Sequence, residues 1–226
     1  MLWRTPSARF WRNLPAGFIQ PCQPTLVANP PAGPGWLHEV KHDGFRILAR
    51  KQGERVEVWS RRGAVFNDRF PRIAEAVGAL PVDNALIDGE AVVFLPDGHS
   101  DFAALLTKAG GEQASFVAFD LLGFEGDDLR DRPLEERRDE LARLVHGVDG
   151  IPLSEAIDAE GALVFAKARE LGTRGDCVEA GRQPISQRGE PQLAEVPEPG
   201  LPTPVKRTGS RAGRLTNRQS RTRNVP

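Results

Sequence analysis

The sequence predicts an α+β fold of antiparallel β-sheets flanked by helices, and three observations predict it. Short alternating apolar runs bounded by turn residues recur through residues 21–172. Stretches with helical periodicity are interspersed with them. The order is mixed, not a regular strand–helix alternation, which argues against a doubly wound parallel sheet.

Strand signals come first. WLHEVK and FRILARK flank Asp43-Gly44, and RVEVWS follows a Gln52-Gly53-Glu54 turn. In RVEVWS, Arg55 and Glu57 alternate with Val56 and Val58, as a half-buried strand requires. PRIAEAVGAL reads as a helix with Pro71 in its first turn. NALIDGEAVVFL reads as two strand segments hinged at Gly89 and closed by a Pro96-Asp97-Gly98 turn. DFAALLTKA is a short helix capped by Asp101. SFVAFDLL, a continuous apolar run, is a buried strand. PLEERRDELARLVH places Leu134, Leu141, Leu144 and Val145 on one helical face, and AEGALVFAKARELG is a second such helix ending at Gly172.

Composition divides the chain of 226 residues into three parts. Residues 1–20 form a basic N-terminal extension, of which MLWRTPSARFWR is expected to be mobile, and residues 21–172 form the globular part. Residues 173–226 hold no Phe, Tyr or Trp and seven prolines, so they are expected to be a disordered tail. Formal net charge is −1, but the first 172 residues carry −6 and the remainder +5. A body this acidic does not advertise nucleic-acid binding by charge alone. No apolar run approaches the roughly 20 residues of a membrane span. The two cysteines have neither disulfide-framework nor metal-ligand spacing, and a cytoplasmic location is expected.

Chemistry concentrates in Glu39-Val40-Lys41-His42-Asp43-Gly44-Phe45-Arg46. A lysine ends an apolar strand beside a tight turn, with an arginine five residues on. Only the free amine of lysine is a nucleophile, and with a reference pKa of ~10.4 roughly one molecule in 2,500 carries it at pH 7. Partial burial and a nearby cation such as Arg46 would raise that fraction. Downstream lie Ser60-Arg61-Arg62-Gly63, Asp88-Gly89-Glu90, and Phe119-Asp120 within SFVAFDLL.

In this order, the four elements resemble motif I (K-x-D-G-x-R), the S-R-x-G element, motif III (D-G-E) and motif IIIa of the covalent nucleotidyltransferases. The flanking text, FIQPCQPTLVANPPAGPGWLHEVKHDGFRI and DRPLEERRDELARLV, resembles the adenylation domain of bacterial ATP-dependent DNA ligases of the end-joining, ligase D type. The resemblance covers residues 18–172. It implies an ATP-grasp-like nucleotidyltransferase fold and a lysyl-AMP intermediate used to seal breaks in double-stranded DNA. On that resemblance Lys41 is the catalytic nucleophile and Glu39 contacts the adenine edge. Arg46 and Arg61 serve phosphate, Glu90 the ribose and Phe119 the base. ATP and Mg²⁺ or Mn²⁺ are the implied cofactors, with no metal ligand assigned. Nicked or broken double-stranded DNA and end-joining repair proteins are the implied partners.

After Gly172 the resemblance stops. Motif IV (near E-G-[IVL]-V-x-K) and motif V (near W-x-K) are not readable. Reading residues 173–180 one nucleotide later, with synonymous codons chosen freely, spells Leu-Glu-Gly-Ile-Val-Ser-Lys-Arg. In the same shifted frame residues 192–196 become Asn-Trp-Leu-Lys-Cys. A frameshifted tail is therefore expected, and with it an adenylation domain that lacks motifs IV and V and is impaired. The alternatives are a non-catalytic nucleotide-binding remnant, or an RNA ligase or capping-type enzyme.

Overall fold

The computed structural model describes residues 13–23, 25–26, 36–157, 176–180 and 193–195. Two five-stranded sheets organise them. The first has the strand order β4-β3-β5-β6-β7, with all neighbours antiparallel. Its strands are β3 (Phe45–Gln52), β4 (Arg55–Ser60), β5 (Asn84–Val92), β6 (Ser115–Phe124) and β7 (Asp127–Asp128). The second has the order β1-β10-β9-β2-β8, formed by β1 (Thr25–Leu26), β2 (Trp36–Val40), β8 (Ala156–Ile157), β9 (Asp176–Ala180) and β10 (Leu193–Glu195). Within it, only β1 and β10 pair in parallel. The antiparallel, helix-flanked α+β architecture is the one expected.

One face of the first sheet buries Ile47, Ala49, Ile87, Phe116 and Ala118 against helices. Helix α1 (Pro71–Gly78) supplies Ile73 and Val77, and α4 (Leu134–Val145) supplies Leu141 and Leu144. Pro71 does open α1, where a missing amide hydrogen costs nothing. The expected helix over 101–109 is instead two short ones, α2 (Phe102–Leu105) and α3 (Lys108–Gln113). Asp101 caps the first through the amide of Ala104 at 2.9 Å. The hydroxyl of Thr107 then accepts from Gly110 at 3.0 Å and starts a second helix where the sequence suggested continuation.

The other face of the first sheet carries Leu48, Trp59, Leu86 and Leu122. Leu14, Phe18 and Ile19 cover it, and Phe18 meets Trp59 edge-on at 6.1 Å. The carbonyl of Pro15 also accepts from the buried guanidinium of Arg50 at 2.7 Å. Residues 14–19, the end of the N-terminal extension, thus pack against the sheet, while the stretch expected to be mobile lies outside the described residues. The apolar second face needed a cover, and residues 14–19 provide it.

β5 is a single strand, not two hinged segments. Its pairing with β6 shifts register at Leu86/Ile87 and again at Asp88/Gly89, so the irregularity sensed at Gly89 is a bulge in the ladder. A Cβ on Gly89 would lie 2.4 Å from the carbonyl oxygen of Val117, which explains the glycine.

The two sheets are joined by residues 150–154. These run along β6, with Phe116 and Ala118 donating to Gly150 and Pro152 at 2.8 and 2.9 Å, and lead into β8 beside β2. Two short stretches of the tail pair with the second sheet. Asp176–Ala180 pairs along all of β2, and Leu193–Glu195 pairs with Asp176–Ala180 in turn, because an open strand edge accepts any extended backbone. The expected helix over 159–172 lies outside the described residues, as does the rest of the tail.

Candidate active site

β2 ends at Val40 and β3 begins at Phe45, so Lys41–Gly44 form the link between the two sheets. The amide of Asp43 donates to Ser100 Oγ at 3.1 Å and ties this link to the loop that follows β5. A Cβ on Gly44 would stand 2.3 Å from the carbonyl oxygen of Ala91 and 2.7 Å from Cγ of Glu90. The glycine therefore lets the lysine-bearing turn close directly onto the strand that carries Glu90. Gly44→Ala is expected to cost about 1–3 kcal/mol through overpacking and to displace Glu90. Urea unfolding together with nucleotide affinity checks it: an unchanged midpoint would show that β5 yields easily.

Arg46 lies opposite Glu90 in the β3–β5 register. Its Nε and Nη2 donate to the two carboxylate oxygens of Asp88 at 3.0 and 2.9 Å. Its guanidinium carbon sits 4.8 Å from the centre of the Phe119 ring. Burial pushes the Asp88 carboxyl up, and Arg46 beside it pulls it back down. A fork held by two bonds and stacked on a ring is a fixed cation, not a swinging one.

Glu90 is half-buried, and burial raises its pKa from 4.5 to about 7 against the opposing pull of Lys41 and Arg46. This has a sign. Between about pH 4.5 and 7 the folded chain holds a proton on Glu90 that the unfolded chain has released. Stability therefore falls as pH rises through that window, by up to about 3 kcal/mol. Glu90→Gln is expected to flatten that part of the stability–pH profile, measured by urea titrations from pH 5 to 8. An unchanged slope would overturn the assignment to Glu90.

Of the residues singled out in the sequence, Lys41, Arg46, Glu90 and Phe119 thus form one neighbourhood, linked by contact or by charge. Arg61 follows β4, and its amide donates to the carbonyl of Arg46 at 3.1 Å. Its side chain is exposed at the rim. Glu39 is set back. It is 4% exposed, paired with Arg138 and hydrogen-bonded to Ser154.

A cavity of about 710 Å³ opens beside Lys41, within the size range of small-molecule sites. It is lined by Lys41, His42 and Asp43 and, across from them, by His99, Ser100 and Phe102. Arg46, Arg61, Glu90 and Phe119 do not line it. Lys41 therefore stands between this hollow and the Arg46–Glu90–Phe119 group. Among the described residues, no group of three or more His, Cys, Asp or Glu is placed to hold a metal ion.

Sequence reasoning missed the groups that brace the site. Arg137 forks onto Asp120, the neighbour of Phe119, with Nε and Nη2 at 2.7 and 2.9 Å from its oxygens. Arg138 Nη1 donates to Glu39 and to the carbonyl of Phe119, and its Nη2 donates to the carbonyl of Ser154 at 2.7 Å. A signal was present. Arg137 and Arg138 lie three and four positions from both Leu134 and Leu141, on the helical face that is otherwise apolar.

Solved structures share this architecture. A mycobacterial DNA ligase D complexed with ATP and MES aligns with a TM-score of 0.62 at 23% identity, covering 78% of this chain and 60% of that one. The ligase domain of M. tuberculosis LigD aligns with a TM-score of 0.62 at 24% identity, over 77% and 58% respectively. The fold is thus that of a DNA ligase catalytic domain. A family model described as ATP dependent DNA ligase domain matches residues 25–171. The multifunctional non-homologous end joining protein LigD of Pseudomonas aeruginosa is 36% identical over 183 residues, or 76% of this chain and 22% of that protein. DNA ligase C2 of Mycolicibacterium smegmatis is 39% identical over 117 residues, or 46% of this chain and 32% of that one. The chain belongs to the ATP-dependent DNA ligase family. It spans about a fifth of the length of the P. aeruginosa relative.

Proposed function

We propose that this chain is an adenylation domain in which Lys41 Nζ attacks the α-phosphorus of ATP. A nitrogen–phosphorus bond forms, the bond to pyrophosphate breaks, and the amine proton passes to solvent. The observation that supports this reading is the neighbourhood of Arg46, Glu90 and Phe119, which meets through Glu90 a lysine that directly follows β2 beside a cavity of nucleotide size. Phe119 offers a half-buried ring, with the fixed Arg46 against one face, as a platform for the base. Glu90 supplies an acceptor for ribose hydroxyls. Arg46 and the exposed Arg61 supply positive charge toward phosphate, where negative charge accumulates in transfer. Among the described residues no group of three or more His, Cys, Asp or Glu stands ready for the divalent ion that the family reaction calls for. Transfer of AMP to a 5′-phosphate at a nicked or broken duplex, and closure by a 3′-hydroxyl, would follow by analogy with the end-joining relatives.

Residues 173–226 are read as a frameshifted tail without motifs IV and V, and the domain as severely impaired in consequence. The absence of those motifs also favours a second reading, a nucleotide-binding remnant. Incubating the purified chain with α-labelled ATP and Mg²⁺, then denaturing it, separates them. Slow, substoichiometric label from ATP and not from GTP is expected. ATP binding with no retained label would favour the remnant, and label from GTP alone would overturn both.

A further inference from the structure

Arg138 touches two residues that the resemblance assigns to the purine, and they lie on different sheets. Glu39 belongs to β2 of the second sheet and Phe119 to β6 of the first. Arg138 approaches both from α4. One nitrogen, Nη1, donates to the carboxylate of Glu39 and, at 2.9 Å, to the carbonyl oxygen of Phe119. The other, Nη2, donates at 2.7 Å to the carbonyl of Ser154, in the segment that runs from β6 toward β8. Its side chain is 8% exposed and that of Glu39 is 5% exposed, so water supplies little of this bonding.

We propose that Arg138 is a positioning residue for purine selection, fixing the Glu39 carboxylate as a hydrogen-bond acceptor at a set distance from the Phe119 platform. The inference rests on the adenylation reading of this site. Its chemistry is that of donor against acceptor. Adenine carries a 6-amino group, which donates, and guanine a 6-oxo group, which accepts. An ionised carboxylate only accepts, so it suits the amino purine and rejects the oxo purine. A protonated carboxyl can donate, and would welcome the oxo purine. Burial drives Glu39 toward that protonated form and Arg138 opposes it, so the guanidinium holds both the geometry and the protonation state on which discrimination depends.

The test is nucleotide affinity, which requires no turnover: calorimetric titration of the full-length chain with ATP and with GTP. Arg138→Met keeps the length of the side chain and removes its charge. It is expected to cut the preference for ATP over GTP by roughly 10–100-fold, the effect of losing a hydrogen bond to a charged group. Arg138→Lys keeps the charge but offers no fork, and an intermediate preference is expected. It also serves as the second variant if Arg138→Met does not fold. If a folded variant retains the wild-type ATP/GTP ratio, the proposal is overturned while the adenylation reading stands. A parallel loss of both nucleotides with the ratio unchanged marks a merely structural role and overturns it too. If the wild-type chain binds neither nucleotide, the adenylation reading fails first and takes this inference with it.

Discussion

Lys41→Arg is expected to leave no AMP attached to the denatured chain, while the unaltered chain retains a small labelled fraction. Arginine preserves positive charge and approximate size, but its guanidinium stays protonated at any working pH and offers no lone pair. Loss of the nucleophile should therefore cost on the order of 10³-fold or more in labelling. ATP binding should change far less, because Arg46, Glu90 and Phe119 are untouched. Two results would count against this account. Equal label on the variant would place AMP on another side chain. Rapid, stoichiometric labelling of the wild-type chain would show that the unreadable motifs IV and V cost nothing, where removal of even one electrostatic donor usually costs ~10²–10³ in rate.

The largest effect on stability is expected from Arg137→Met. The Arg137–Asp120 pair is closed to water on both sides, with side-chain exposures of 1% and 3%. Arg137 also donates through Nη1 to the carbonyl of Arg132 at 2.6 Å. Removing the guanidinium strands a carboxylate inside the core, next to Asp88, its partner in the β5–β6 register. A broken buried pair typically costs about 3–5 kcal/mol, a large share of the roughly 5–15 kcal/mol that holds a domain together. Urea unfolding at pH 7 should show a much lower midpoint. Pairing the change with Asp120→Leu should recover part of the loss, since no charge is then left buried. A single variant as stable as wild type would mean that Asp120 takes up a proton or reaches water without cost.

The strands and the order of the motifs were legible because period-two alternation and Asp-Gly or Pro-Asp-Gly turns are local signals. WLHEV, FRILARKQ and RVEVWS became β2, β3 and β4 almost as read. Lys41, Arg46, Glu90 and Phe119 were legible as candidates through the motifs that contain them, and the fold brings these four into one neighbourhood. The setting of Glu39 was not legible. Its partner Arg138 is 99 residues away, and no local pattern reports a contact of that span. Charge on a helix reads as solvated by default, so Arg137 and Arg138 were not singled out although they lie on the apolar face of α4. The glycines of the K-x-D-G and D-G-E motifs read as turn and hinge. Their stronger reason is crowding by Ala91 and Val117 on neighbouring strands, which only three dimensions reveal.

β9 shows what a main-chain ladder does and does not specify. Asp176–Ala180 lies in full register with Trp36–Val40, with Cys177 opposite Glu39 and Asp176 opposite Val40, one residue before Lys41. Such pairing uses only amides and carbonyls, so it holds a seat without vetting the occupant. On the proposed reading of the tail as frameshifted, a segment takes the berth next to Lys41 yet brings the wrong functional groups to it. Restoring the proposed motif would then respell a strand already in place, not rebuild a sheet.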